Sequence, residues 1–217
     1  MDTPTKLPVL DAAQIRVLGA LMEKCKTTPD YYPMTMNGLT AACNQKTSRK
    51  PVVQYDDSTV ISALNSLKIA GLISTATGGS IRNIKYKHNF AIVFPVLPAE
   101  VAVMCLLFLR GPQTPGEINT NSGRLYEFET LEEVQQVLEK LASEEPAYIK
   151  QLPRKPGQKE QRYMHLFSGD VETVEEEYIA DESPKNNSEL EARLTKVEEE
   201  LAELKTNFDK LMKELMG

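Results

Sequence analysis

The 217-residue sequence lacks the features that mark several large classes of protein. No apolar run approaches the roughly 18 residues needed to span a bilayer, so an integral membrane protein is not expected. Residues 1–9 contain one lysine and no apolar segment, so we predict no secretory signal and a cytoplasmic location. Cys25, Cys43 and Cys105 are odd in number and widely spaced. This spacing argues against a disulfide framework and a structural metal, and the three cysteines are expected to be buried thiols.

Catalytic motifs are also missing from the sequence. His88 and His165 lie in predicted strands without a neighbouring Cys, Ser or carboxylate in a known nucleophile or metal motif. His165 is expected to be a hydrogen-bonded strand residue. The Gly78-Gly79 pair is typical of a hairpin turn and does not form a phosphate-binding loop. We therefore expect no enzymatic activity, no metal ion and no cofactor.

The net charge of -6 conceals a gradient along the chain. Residues 1–90 contain 11 Lys and Arg against 6 Asp and Glu, residues 91–169 contain 8 against 10, and residues 170–217 contain 6 against 15. A basic N-terminal part can meet a polyanion, whereas an acidic C-terminal part repels one. The pI near 5.2 argues only weakly against nucleic-acid binding, because binding depends on a local patch.

The C-terminal segment carries a heptad pattern. Apolar residues recur at alternating spacings of three and four positions, at Leu190, Leu194, Val197, Leu201, Leu204, Phe208, Leu211 and Leu215. This seam predicts a coiled-coil helix over residues 188–217, preceded by an acidic linker at 170–187. The apolar residues of this seam are predicted to form a homodimer interface. A parallel pair is favourable because Arg193 of one chain would face Glu198 of the other. The alternative is a single amphipathic helix that lies on the body of its own chain.

The rest of the chain contains an internal repeat with an offset of 87 residues. Leu18 corresponds to Cys105 and Leu21 corresponds to Phe108, and a Thr-Pro step follows the first predicted helix of each copy. Two copies of one small unit are the economical explanation.

Each copy predicts three helices followed by two short strands. The predicted helices are residues 11–25, 34–44 and 58–70 in the first copy and 99–110, 114–121 and 131–143 in the second, and the predicted strands are 72–76, 81–88, 147–152 and 161–167. Asp57 or Ser58 is expected to cap the third helix. This order is that of the winged helix, a helix-turn-helix variant with a β-hairpin wing. We predict an α+β, mainly helical protein with winged-helix domains at 1–92 and 93–169.

The third helices of the two copies have different outward faces. In the first, the predicted buried stripe is Val60, Ile61, Leu64 and Leu67. In the second, it is Leu131, Val134, Val137, Leu138 and Leu141. The outward face of the first carries small polar residues and no arginine, so it predicts only modest base contacts. The outward face of the second is rich in glutamate and would repel phosphate.

Cations around the first copy indicate contacts to phosphate. In a winged helix the third helix enters the major groove, and the loop before it or the wing meets the DNA backbone. Residues 46–50 supply three cations and two hydroxyl groups to that loop, and both predicted wings are basic. The predicted nucleic-acid-binding residues are Lys46, Thr47, Ser48, Arg49, Lys50, Thr59, Ser62, Asn65, Ser66, Arg82, Lys85, Lys87, Arg154, Lys155 and Lys159.

Four stretches of the sequence resemble a known family. They are Glu23-Lys24 with Thr27-Thr28-Pro29, Ala42-Cys43-Asn44-Gln45-Lys46-Thr47, Leu109-Arg110-Gly111-Pro112-Gln113-Thr114-Pro115-Gly116-Glu117 and Arg162-Tyr163-Met164-His165-Leu166-Phe167-Ser168-Gly169. From about residue 10 to residue 169 the chain resembles the YceH-like family of uncharacterised bacterial proteins. The resemblance implies two tandem winged-helix domains and a Gram-negative source, and it implies no activity. The heptad segment lies beyond the region that carries it.

Two functions from different classes fit these features. The leading hypothesis is a dimeric protein that binds double-stranded DNA, such as a transcriptional regulator. The alternative is a protein-interaction scaffold whose winged-helix domains dock a protein partner, which the arginine-poor third helix favours. A third option is a small-molecule sensor with a pocket between the two domains, although no motif marks such a pocket.

Overall fold

The computed structural model describes residues 6–77, 84–154, 160–169 and Lys205. The chain divides into two units, Met1–Val174 and Glu175–Gly217. Only Lys205 among the described residues belongs to the second unit, so the description below concerns the first. The predicted linker, the heptad residues Leu190 to Leu215, Arg82, Lys155 and Lys159 lie outside the described residues.

The first half of this unit contains three helices and a small sheet. The helices are α1 (Ala12–Thr27), α2 (Met36–Cys43) and α3 (Asp57–Ile69), and the strands are β1 (Met34–Thr35), β2 (Ile73–Thr77) and β3 (Ile84–His88). The strands form an antiparallel sheet in the order β1-β3-β2, in which Tyr86 lies opposite both Met34 and Thr75. A one-turn helix, α4 (Phe90–Val93), leads into the second half.

The second half repeats this order of elements. Its helices are α5 (Pro98–Arg110), α6 (Pro115–Ser122) and α7 (Leu131–Ser143), and its strands are β4 (Ile149–Gln151) and β5 (Tyr163–His165). The two strands pair antiparallel, with Lys150 opposite Met164. Gln113 adds an isolated bridge to Tyr163 at a position comparable to β1. The α+β class is therefore confirmed, and among the described helices none combines the length and apolar character required to cross a membrane.

Local hydrogen bonds explain where the helices begin. The Asp11 carboxylate accepts a hydrogen bond from the Gln14 amide at 2.8 Å, and the Thr114 hydroxyl accepts one from the Glu117 amide at 3.2 Å. The prediction that Asp57 or Ser58 caps α3 is wrong. Asp56 accepts from the Thr59 amide at 2.8 Å, while Asp57 accepts from the Thr40 hydroxyl at 2.9 Å. Asp56, Asp57 and Ser58 are all residue types that can cap a helix, and in the structure Asp56 is the cap.

Tertiary contacts corrected other boundaries. The helix predicted from residue 34 starts at Met36, because Met34 and Thr35 pair with β3 and Thr35 then caps α2. On α3, Ile61 is 46% exposed, and Ala63 takes its predicted place in the buried stripe. Leu131, the first residue of α7, is also exposed. The three strands whose full predicted spans are described are shorter or shifted, and only residues 84–88 of the fourth are described.

The two halves share one continuous hydrophobic core. Every residue from Ile15 to Met22 of α1 and from Ala102 to Leu109 of α5 is buried. The two helices approach closely at Gly19, where an added Cβ would lie 3.0 Å from the Leu109 side chain. The Phe167 ring in turn contacts Phe90 at 5.6 Å and Phe108 at 5.4 Å between ring centroids. A helix that is buried on every side needs neighbours on every side, and here α5 supplies one side of α1.

Candidate nucleic-acid interface

The loop before α3 presents only part of its predicted charge to solvent. Lys46, Thr47 and Lys50 are exposed, whereas Ser48 is half-buried. The loop is held at its base by Asn44, which donates to the Tyr55 carbonyl and accepts from the Tyr55 amide, both at 2.8 Å. The loop is therefore anchored at its base and carries exposed cations.

Arg49 of the same loop points inward. Its side chain is 0% exposed, and its guanidinium donates to both Glu23 carboxylate oxygens at 2.7 and 3.1 Å. It also donates twice to the Ala42 carbonyl, at 2.9 and 3.2 Å. Burial raises the pKa of Glu23, but hydrogen bonds and charge from Arg49 and Lys24 outweigh it and hold that pKa below its usual value. Arg49 thus joins the loop to α1 and α2, and its charge is already compensated.

The outer face of the three-stranded sheet is basic. Side chains alternate along a strand, so Lys85 and Lys87 of β3 share one face while Tyr86 packs against the core. Lys87 is exposed and Lys85 is half-exposed. Ser74 lies opposite Lys87 and Thr35 lies opposite Lys85. The described residues of these strands include no acid, so nothing within the sheet neutralises the two lysines.

The outward face of α3 carries both polar and apolar side chains, and it carries no arginine. Ser62, Asn65 and Ser66 are exposed and Thr59 is partly exposed, as the sequence predicts. Ile69 is 89% exposed and follows Ile61 and Asn65 at four-residue spacing. The amino end of the helix is acidic, with Asp56 and Asp57. This face can offer hydroxyl and amide groups to a base edge, and it can also offer apolar contacts to a protein.

The cations near the second hairpin differ in how accessible they are. Arg154 is exposed beside β4, but Arg162 is bound to Glu117 at 2.9 Å and to the Pro112 carbonyl at 2.9 Å. Glu132, Gln135, Gln136 and Glu139 of α7 are exposed, which makes that face acidic. The structure therefore does not bring Arg154 together with a basic third helix.

The structure buries one of the two histidines and two of the three cysteines. His165 is buried beside the Phe108 ring, and neither of its ring nitrogens has a hydrogen-bond partner among the described residues. The expectation of a hydrogen-bonded His165 is wrong, because β5 places this side chain in the core. Burial lowers the pKa of His165 to about 4 and raises the pKa of Cys43 to about 12. Cys105 is also buried, whereas Cys25 is only partly buried.

Comparison with known proteins gives the family of the chain. A family profile described as "Protein of unknown function, DUF480" matches residues 10–158. The chain belongs to the DUF480 family. A UPF0502 protein of Solibacter usitatus is 48% identical over 200 residues, covering 92% of this chain and 95% of the relative. The UPF0502 protein Shewmr4_1554 of Shewanella sp. is 43% identical over 215 residues, covering 93% and 97%.

These relatives confirm the expected bacterial family of unknown function, although none of the names quoted is YceH. They also correct the extent of the resemblance. An alignment that covers 92% of this chain must continue past Gly169, so the DUF480 family relatives share part of the C-terminal segment as well.

Proposed function

We propose that the protein binds double-stranded DNA through the first half, and that each half is a winged-helix module. The order of three helices and a sheet in which β3 lies between β1 and β2 supports this assignment. In this proposal α3 is the helix that approaches the bases. Its exposed Ser62, Asn65 and Ser66 offer small polar contacts without the bidentate arginine that reads guanine.

The observation that carries the proposal is the pair of lysines on the outer face of the sheet. Lys85 and Lys87 lie two residues apart on one strand, unopposed by any acid in the described strands. Lys46 and Lys50 add exposed charge from the loop before α3. Cations on a hydrogen-bonded sheet and on an anchored loop are suited to phosphate contacts, which position a protein on DNA without reading its sequence. We therefore expect binding with weak sequence preference.

Arg49 and the heptad residues have roles in this proposal other than contacting phosphate. Arg49 is omitted from the phosphate contacts, because its guanidinium is already bound to Glu23 and Ala42. The heptad residues Leu190 to Leu215 are proposed to pair two chains, which would present two DNA-binding halves. Pairing of that kind would make affinity depend on protein concentration.

The proposal is tested by the salt dependence of binding to random-sequence duplex DNA, followed by fluorescence anisotropy. Each neutralised phosphate adds about 0.9 to the slope of log K against log salt, so Lys85→Gln/Lys87→Gln is expected to reduce the slope by about 1.8. The control is Arg124→Gln/Lys150→Gln, which removes the same charge from exposed positions of the second half. Its slope should match that of the unchanged protein. Absence of binding by the unchanged protein at low salt would refute the proposal.

A protein-docking function is the second candidate, and the exposed isoleucines favour it. Ile61 and Ile69 lie on the same face of α3, with 46% and 89% of their surfaces exposed. These two side chains offer apolar surface that a protein partner would bury. A stoichiometric protein that is recovered after nuclease treatment, and lost on Ile61→Glu/Ile69→Glu, would select this function over DNA binding.

A further inference from the structure

The polar side chain at the centre of α3 is available to a ligand, whereas those at the amino end of the helix are already bound. The Ser58 hydroxyl donates to the Asp56 carboxylate at 2.9 Å, and the Thr59 hydroxyl is hydrogen-bonded to the same carboxylate. Asn65 is exposed, and its side chain makes no hydrogen bond to another described residue. The Asn65 carboxamide can therefore donate and accept hydrogen bonds at the surface.

Asn65 lies between two exposed apolar side chains. A helical turn contains about 3.6 residues, so residues 61, 65 and 69 follow one another along one side of α3. Ile61 is 46% exposed and Ile69 is 89% exposed. Leu64 and Leu67, on the other side of the helix, are buried. The outward face of α3 therefore presents a carboxamide with an apolar group on either side of it.

This combination of groups matches the major-groove edge of an A·T base pair. An asparagine carboxamide binds adenine bidentately, accepting from N6 and donating to N7, and an apolar side chain contacts the 5-methyl group of thymine. Guanine instead offers two acceptors, O6 and N7, which suit a cation. Asn65 and Ile69 are separated by about 6 Å along the helix axis, at about 1.5 Å per residue. For a helix that lies along the groove, this distance is about two base-pair steps of about 3.4 Å.

The charge near this end of α3 favours DNA over a protein as the occupant of the face. The turn that follows α3 is joined to the end of β3, because the Asn89 side chain donates to the Gly71 carbonyl at 3.1 Å. Lys87 of β3 is exposed, and so is Lys68 of α3. The acidic residues of the helix lie at its opposite end. Positive charge beside the carboxamide and the apolar groups suits a polyanion.

We infer that Asn65 gives the protein a preference for A·T base pairs, by binding adenine in the major groove while Ile69 contacts a thymine methyl group. The inference rests on the DNA binding proposed above. It adds a base preference to the phosphate contacts, which carry no sequence information themselves. A bidentate contact of this kind discriminates against the wrong base by about ten-fold or more, and a single such contact gives the modest preference expected of a helix without arginine.

The inference is tested by fluorescence anisotropy of the full chain with two duplexes of equal length, whose central base pairs are all A·T or all G·C. We expect the A·T duplex to bind about ten-fold more tightly. Asn65→Ala should weaken binding to the A·T duplex by about that factor and leave binding to the G·C duplex unchanged. The matched control is Gln135→Ala, which removes an exposed carboxamide from α7 and should change neither affinity.

Modified bases separate reading of the major groove from recognition of DNA shape. 7-Deazaadenine lacks the N7 acceptor, so it should weaken binding of the unchanged protein but not of Asn65→Ala. Uracil in place of thymine lacks the 5-methyl group, so it should weaken binding of the unchanged protein but not of Ile69→Ala. An A·T preference that persists with both modified bases would show that duplex shape is recognised, and it would overturn the inference.

Other results would also overturn the inference, and they separate it from the DNA-binding proposal. A preference for the G·C duplex that is lost on Lys68→Gln would assign the base contact to that lysine. Equal, salt-dependent binding of both duplexes would remove the base preference and leave the DNA-binding proposal intact. Unchanged DNA affinities in Asn65→Ala and Ile69→Ala would leave this face to a protein partner. Absence of binding to either duplex at low salt would refute the inference and the proposal together.

Discussion

Replacement of Arg49 distinguishes a structural cation from a phosphate contact. The sequence places Arg49 among exposed lysines, whereas the structure buries it against Glu23 and Ala42. In Arg49→Gln the Glu23 carboxylate, whose side chain is only 12% exposed, retains Lys24 at 3.3 Å as its charged neighbour. The substitution therefore leaves a mostly buried negative charge without its principal partner.

The cost of this change follows from the burial of the pair. Removing one partner of a buried ion pair costs about 3–5 kcal/mol, and the contact with Lys24 places the expected loss near the lower end, at about 3 kcal/mol. Domains have total stabilities of about 5–15 kcal/mol, so this is a large fraction. At about 2–4 °C for each kcal/mol, the unfolding midpoint should fall by about 6–12 °C.

The assay is urea and thermal unfolding of Arg49→Gln, Glu23→Gln and the double variant. Because the two side chains contact each other, the double variant should be less destabilised than the sum of the single variants. The folded-state pKa of Glu23 is lowered. The pair therefore stabilises the fold above the ordinary carboxyl pKa of about 4.3, and this contribution is lost as pH falls below it. Arg49→Gln should lose that part of the pH dependence.

One outcome would contradict a structural role for Arg49. Suppose that Arg49→Gln unfolds at the same temperature as the unchanged protein and lowers the salt slope of DNA binding by about 0.9. Arg49 would then contact phosphate, and the buried ion pair with Glu23 would not exist in solution. A structural role instead predicts loss of stability, with an unchanged slope at temperatures where the variant remains folded.

Two further predictions concern the shared core. The folded-state pKa of His165 is about 4, whereas its unfolded-state pKa is about 6.5. As pH falls, the unfolded chain therefore takes up the proton first. Up to about 3 kcal/mol of folding stability is lost between those two pH values. His165→Leu should lose less stability over that range in urea unfolding, and an unchanged pH profile would contradict this. Residues 1–92 alone expose the side of α1 that α5 covers, so circular dichroism should show no cooperative unfolding of this fragment. A cooperative transition near the midpoint of the intact protein would instead establish an independent domain.

The helices were predictable because their signals are local. The apolar spacing of α7 and the Thr130 cap fix its bounds at Leu131 and Ser143, as the sequence predicts. Thr114 with Glu117 marks the start of α6 in the same way. Such signals involve residues three or four positions apart, and the sequence contains them in full.

Contacts between distant residues could not be predicted in this way. β1 has two residues and exists because Met34 and Thr35 pair with β3, about fifty positions later in the chain. The burial of Arg49 depends on Glu23, which lies 26 positions earlier on α1. A cation in a loop rich in lysine and hydroxyl residues has the same local pattern whether it is exposed or paired.

The shared core did leave a signal in the sequence. Residues 101–109 contain no polar side chain, and a helix that is apolar on every side is buried on every side. That run predicts a central helix, whereas an independent three-helix domain needs only an amphipathic one. The Ile15–Met22 segment of α1 is harder to recognise, because it includes Arg16, whose guanidinium donates to the Cys43 and Pro51 carbonyls.

The shared core also determines what the acidic second half can contribute to DNA binding. The loop that carries Lys46 is joined to α5, because the Lys50 amide donates to the carbonyl of Leu109 near the end of that helix. The position of the loop therefore depends on α5, even though α7 presents glutamates and would repel phosphate. In the proposed function the second half acts as the support that holds the cations of the first half in place. The exposed glutamates of α7 would repel the phosphates and keep that face of the second half away from the duplex.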